Sequence, residues 1–297
     1  MMDVIHEQPH KPSDNEHAQE SWYFNWTDAN HDMFGLARTG FKYHEQQPEP
    51  LIFTITGEIP TLIYPLEDVP KMTTRWDKID ASQGLIAGNM TAIMEEPFRR
   101  WRITLEGANS MDLLFDSYTP AFNYHEGGRK LATTMTTEHF EQSCKVSGWI
   151  NFNDKHLEIN GYGQRDKSWG VRVWPEIQGW DWISAQFGET ITFNIMRTFE
   201  NDQEFLNGFI YRDGKNFAIT DATITYKWSS KKEEPAETLI EFTDVKGITH
   251  RITAVTRGIF PIPKPPVLLE EAYSVFTYHG THEILEGGGM VEHVWRP

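Results

Sequence analysis

Two stretches of the chain repeat one arrangement of chemistry-bearing residues. Gly161-Tyr-Gly163-Gln-Arg165-Asp166-Lys167-Ser168-Trp169 and Gly287-Gly-Gly289-Met-Val-Glu292-His293-Val-Trp295 both read G-x-G-x-x-[DE]-x-x-W. Each sets a carboxylic acid and an indole at the same offsets behind a glycine pair. Arg165 stands beside the first acid and His293 beside the second. A carboxyl group whose pKa is raised by burial can give a proton to a reacting carbon and take it back. Asp166 is therefore the first candidate catalyst, with Glu292 or His293 as its counterpart. The competing role for Asp166 is an ion pair with Arg165 or Arg172 that ties strands together; for Glu292 it is a carboxylate holding the C-terminal strand. Neighbouring side chains of a strand point to opposite faces. Arg172 then shares a face with Asp166, and only one of Glu292 and His293 can reach a given cavity.

The aromatic residues provide a wall for such a cavity. The chain holds 11 Trp, 10 Tyr and 18 Phe, which suits a pocket lined by flat apolar surfaces as well as a packed core. Trp169, Trp174, Trp180 and Trp182 are candidates for substrate contact, and alternation sets Trp180 and Trp182 on one face with Asp181 on the other. Tyr118 and His125, in the loop Asp116-Ser-Tyr118-Thr-Pro-Ala-Phe-Asn-Tyr124-His125, add two groups able to move a proton. His279-Gly-Thr-His282 is the nearest thing to a metal pair, but acids at ligand spacing do not flank it. No metal and no cofactor are expected, since P-loop, G-x-S-x-G and dinucleotide fingerprints are all missing.

Charge narrows the partners. A net charge of −16 argues against nucleic acid or an anionic membrane surface, and the pair Lys231-Lys232 is followed at once by Glu233-Glu234. The single cysteine, Cys144, excludes an intrachain disulfide and a cysteine-based zinc site. The polar opening residues lack an apolar signal core, and no run of about 20 apolar residues occurs. A cytoplasmic protein without a membrane span is expected.

These residues need elements to hold them. Short runs rich in β-branched and aromatic residues recur, separated by Gly, Asn, Asp or Pro: Leu51–Thr56, Arg100–Leu105, Met111–Phe115, Ser147–Phe152 and His156–Ile159, then Trp182–Phe187, Thr190–Thr198, Asn207–Tyr211, Thr223–Trp228, Thr238–Phe242, Arg251–Val255 and Tyr273–Tyr278. Arg212-Asp-Gly-Lys215 and Thr243-Asp-Val-Lys-Gly247 suit hairpins. The pattern predicts an all-β sandwich or barrel. Residues 1–17 read as a flexible arm, and 60–98 as an insertion of loop with one short helix. Trp22-Tyr-Phe-Asn-Trp26 and Gly179-Trp180-Asp-Trp182 open two halves in parallel. Together with the doubled motif they imply an internal duplication with a boundary near Pro175, giving units over 18–174 and 175–297 with a cleft between them.

The stretch from Gly161 to Trp174, followed by Trp180-Asp-Trp182 and closed by Gly289-Met-Val-Glu292-His-Val-Trp295, resembles the signature of the AttH-like superfamily, which includes the carotenoid 1,2-hydratases (CrtC-like). That family carries G-x-G-x-R-D-H-S-W-G-x-R, then W-x-W, then G-x-x-E-x-x-W near the C-terminus. The resemblance implies two lipocalin-like antiparallel β-barrels and cofactor-free addition of water to an isoprenoid C=C bond. Lys167 stands where the family has His, so an imidazole must come from elsewhere, with His293 of the second copy as the candidate.

Together these readings point to a cofactor-independent lyase or isomerase of hydratase or dehydratase type, acting on a hydrophobic terpenoid or aromatic small molecule. A lipocalin-type carrier that binds an apolar ligand without chemistry is the alternative; in it Asp166 and Glu292 are ion-paired and dispensable. A structural protein leaves the aromatic residues without a purpose. A homodimer through an exposed strand edge is compatible with either reading.

Overall fold

Strand follows strand along the chain, interrupted by short 3-10 turns, and no α-helix occurs among the described residues. The structure is a computed structural model that describes residues 2–64, 69–72, 75–126, 129–134, 136–229, 234–281 and 283–296. The first group of strands is β1 (Ala18–Asp28), β2 (Met33–Lys42), β3 (Gln47–Thr56), β4 (Ile59–Tyr64), β5 (Leu85–Ala87), β6 (Met90–Glu96), β7 (Arg100–Leu105), β8 (Ser110–Ser117), β9 (Phe122–Asn123), β10 (Glu138–Phe152) and β11 (Lys155–Val171). The second is β12 (Gly179–Phe187), β13 (Ile191–Glu200), β14 (Gln203–Arg212), β15 (Lys215–Trp228), β16 (Pro235–Asp244), β17 (Thr249–Lys264), β18 (Val267–His279) and β19 (Ile284–Trp295).

The second group closes into an antiparallel barrel of eight strands, β19 pairing back to β12. Its hairpins are tight because the turn residues accept a left-handed backbone. Asp213 and Gly214 have φ of 51° and 74° between β14 and β15, as a two-residue hairpin turn requires. Ile183, Phe193, Ile210, Ile240, Ile252 and Phe276 fill the barrel interior.

The first group differs from the expected barrel. It forms a sheet of eleven strands ordered β4-β3-β2-β1-β11-β10-β8-β7-β6-β5, with β9 beside β10, and its two ends are not joined. The sheet curls around a core of Trp22, Phe24, Trp26, Trp101, Ile103 and Phe115. Side chains close the seam that backbone bonds leave open. Trp76, on a 3-10 turn between β4 and β5, is fully buried and stacks on Phe41 at 4.7 Å. The insertion expected as loop thus supplies β4, β5 and β6, besides two 3-10 turns.

The glycine pair of each motif has a steric cause. A Cβ on Gly161 or Gly163 would stand 1.9 Å from a backbone oxygen of β1, and one on Gly287 or Gly289 about as close to β12. Only glycine lets the last strand of each unit approach its first so closely.

The opening residues pack against the first sheet rather than standing off it. Asp3 caps a 3-10 turn that inserts Glu7, which is fully buried against Arg165 at 2.6 Å and the Phe98 amide at 2.6 Å. Arg165 and Lys167 point into this unit, so their charges draw partners from the arm and from β1: Lys167 meets Glu20, the Gln8 carbonyl at 3.0 Å and His10 at 3.1 Å. The opposite face of β1 and β11 packs on the outer face of the barrel, chiefly on β12. This contact explains why every residue of β12 is buried. Among the described residues no helix is long and apolar enough to cross a membrane.

Candidate active site

A pocket of about 810 Å³, counting its open mouth, lies where the first sheet meets the barrel. Strand pairing builds its polar side. Arg38 on β2, Tyr23 on β1, Asp166 on β11 and Glu141 on β10 stand opposite one another in register across the first sheet. His139 lies two residues before Glu141 and therefore on the same face. The barrel contributes Trp180 and Trp182 from β12, Met196 from β13, Leu269 and Glu271 from β18, and Glu292 from β19.

The first acid group centres on Asp166. Its Oδ1 is 3.9 Å from His139 Nε2. Burial pushes the Asp166 carboxyl up to about 7, with Glu141 adding to the push while His139, Arg172 and Arg38 pull the other way. Burial alone would lower the His139 imidazole, but Asp166 and Glu141 outweigh it and hold the ring above its ordinary value. Behind them the Glu141 carboxylate is fixed by donors: Tyr124 OH at 2.7 Å, Trp182 Nε1 at 2.7 Å and His139 Nε2 at 3.0 Å on one oxygen, Gln164 Nε2 at 2.7 Å on the other. Tyr124 also stacks on His139 at 4.3 Å, so the ring is held in plane as well as in position.

The second acid group repeats this plan. Glu292 stands opposite Glu271 across β18 and β19, as Asp166 stands opposite Glu141 across β10 and β11. The Glu271 and Glu292 carboxyls face each other across the two strands, and two buried carboxyl groups so placed favour a protonated member. Burial, followed by Glu292, drives Glu271 far above the usual carboxylate range, and burial raises Glu292 as well. Trp180 Nε1 donates to Glu292. The indoles of Trp180 and Trp182 are thus each anchored to a different buried acid.

Of the residues singled out from the sequence, Asp166, Glu292, Arg172, Trp174, Trp180 and Trp182 line this pocket together. The others lie elsewhere. His293 points to the opposite face of β19 from Glu292, where its Nδ1 meets Asp181 at 2.7 Å; the pocket's imidazole is His139. Trp169 is an odd number of residues from Asp166 and so faces the other way, stacked on His10 at 4.1 Å. Tyr118 donates its hydroxyl to the Gly188 carbonyl at 3.1 Å. His125 lies against the backbone oxygens of Arg129 and Thr137. His139, Glu141 and Glu271 belong to no motif of the sequence. The adjacent acids Glu270-Glu271 inside an apolar strand are the one local signal, since a carboxyl is seldom placed there without a task.

His139, Glu141 and Asp166 present ligand atoms within 4.8 Å of one another, close enough to share a metal ion. The four donors on Glu141 already take up the lone pairs that a cation would need. The arrangement therefore suits a proton better than a metal. His279 meets Thr253 at 3.0 Å, and His282 lies outside the described residues.

A family model described as a domain of unknown function (DUF7064) matches residues 3–297. Among curated proteins, none matches the chain in sequence. Solved structures share its fold at low identity. CghA with Sch210972 aligns at TM-score 0.69 and 13% identity over 97% of this chain and 94% of that one. Kievitone hydratase from Nectria haematococca aligns at 0.66 and 14%, over 99% and 93%. A protein of Nitrosomonas europaea assigned to AttH aligns at 0.59 and 14%, over 95% and 94%. The AttH-like fold inferred from the motifs is thus the fold of the chain.

Proposed function

The chain belongs to the DUF7064 family, and on that premise we propose that it is an acid–base enzyme that adds water to, or removes it from, a carbon–carbon double bond of a hydrophobic terpenoid or aromatic molecule. One observation carries the reading: three buried carboxyl groups, Asp166 from the first sheet and Glu271 and Glu292 from the barrel, face one aromatic-walled pocket from two sides, and burial raises all three above the ordinary carboxylate range. The two acid groups occupy the same strand positions in their units, which supports descent of both from one duplicated lipocalin-like barrel. Fold kinship with a structure described as a hydratase agrees with this assignment.

In the hydration direction Asp166 donates its proton to one alkene carbon, and positive charge develops on the other. The faces of Trp180 and Trp182 stabilise that cation. Water adds to it, and the proton it sheds passes to Glu292 or back to the His139–Asp166 pair. Dehydration runs the same steps in reverse. Loss of a proton from a different carbon of the cation to the carboxylate, without water, gives an isomerisation. No step needs a cofactor. A carrier would keep its acids as inert ion pairs, whereas Glu271 and Glu292 are paired with each other.

The test is Asp166→Asn, assayed on any apolar molecule recovered with the protein from its host, with incorporation of ¹⁸O from labelled water as the readout. Turnover is expected to fall by about 10²–10⁴-fold, with the fold intact. Turnover equal to wild type overturns the assignment of the acid. A ligand that both proteins return unchanged moves the reading to a carrier.

A further inference from the structure

We infer that the molecule this pocket takes bears a carboxylate, seated among Arg38, Arg172 and Lys264. The inference rests on the reading of the pocket given above and adds the substrate's chemical class.

Three cations from three separate elements reach the same apolar pocket: Arg38 from β2, Arg172 from the link after β11, and Lys264 from the end of β17. Arg172 and Lys264 lie on the ring of Trp174, at 5.5 Å and 5.9 Å from its centroid. The Arg38 guanidinium lies over Gly40, where a Cβ would stand 2.6 Å from its nitrogens. Glycine there leaves a seat for the guanidinium.

The carboxylate beside Arg38 and Lys264 is divided among cations. Glu49 is shared among Arg38 at 3.9 Å, Lys264 at 3.8 Å and Lys42 at 3.2 Å. Burial holds the Glu271 and Glu292 carboxyls above the usual range, which weakens them as counter-ions. Among the described residues Arg38 makes one long hydrogen bond, from Nη1 to the Glu49 carbonyl at 3.5 Å, although a guanidinium offers five N–H donors. Burial, with Arg38 next, presses the Arg172 guanidinium down to about 10, as cations crowded in one place do to each other. A carboxylate matches a guanidinium fork with two acceptor oxygens. Leu36, Leu51, Ile262 and Leu269 cover the rest of the lining, so the fitting molecule is an apolar skeleton with one acidic head.

The experiment is calorimetric titration of the full chain with 2-naphthoate and with 2-naphthamide, which share shape and differ in charge. Wild type is expected to bind the anion about tenfold more tightly or better, as a charge-assisted hydrogen bond implies. Arg38→Met and Lys264→Met should each shrink that ratio by about threefold or more. Gly40→Ala displaces the guanidinium without touching a charge and should shrink it too, which covers the case of a misfolded arginine variant. Asp166→Asn removes a carboxyl beside the same cations and should keep or raise the ratio, never shrink it, so a failed acid assignment and a failed anion site give different results. Equal affinity for the two probes, binding of neither, or a ratio unchanged in all three variants overturns the proposal.

Discussion

Asp166 and Glu292 are legible in the sequence because one motif occurs twice and sets an acid at the same offset each time. Their partners are not. Glu141 and Glu271 come from β10 and β18, and only long-range strand register brings them opposite the motif acids. Trp169 lies outside the pocket, and its parity with Asp166 already sets it on the other face. The His139–Asp166 pair makes a prediction of its own. Asp166 must be protonated to act as the acid, so the rate of hydration should fall as pH rises through about 7. A protonated His139 lowers the Asp166 pKa, so His139→Gln should move that limb upward by about half a unit or more. A pH–rate profile checks this. A downward shift would mean that His139 does not act on Asp166.

At the scale of elements, the strand runs in the sequence match β3, β7, β8 and most of the barrel, because β-branched alternation is a local signal. The openness of the first sheet leaves no such signal. It depends on Trp76, carried on a turn in a segment rich in proline, filling a seam between β4 and β5. The arm reads as flexible for a related reason: its polar composition conceals that Glu7 is the counter-charge of an arginine buried inside the sheet. Glu7→Ala leaves Arg165 buried and unpaired, which is expected to cost about 3–5 kcal/mol, measured by denaturant unfolding. A loss near zero, as for a residue on a loose tail, would contradict the docking of the arm.

For the whole molecule, the pocket exists only because two units meet, and the acids it holds are expensive to ionise there. Asp166 has a folded-state pKa of about 7 against an ordinary 3.8. Between those values the folded state binds more protons than the unfolded one, so stability falls as pH rises. Asp166→Asn removes that term. Its melting temperature relative to wild type should therefore be higher at about pH 8 than at about pH 5, by about 2–4 °C for each kcal/mol. An equal difference at both pH values would place the carboxyl in contact with solvent. The central claim is that protonated carboxylic acids line this pocket at neutral pH, and infrared difference spectroscopy of wild type against Asp166→Asn and Glu271→Gln tests it most directly. Each variant is predicted to delete one protonated-carboxyl band from the spectrum at about pH 6, and the Asp166 band is predicted to fade by about pH 8. A wild-type spectrum without such bands at about pH 6 would contradict the claim and leave the two pairs as ionised structural groups.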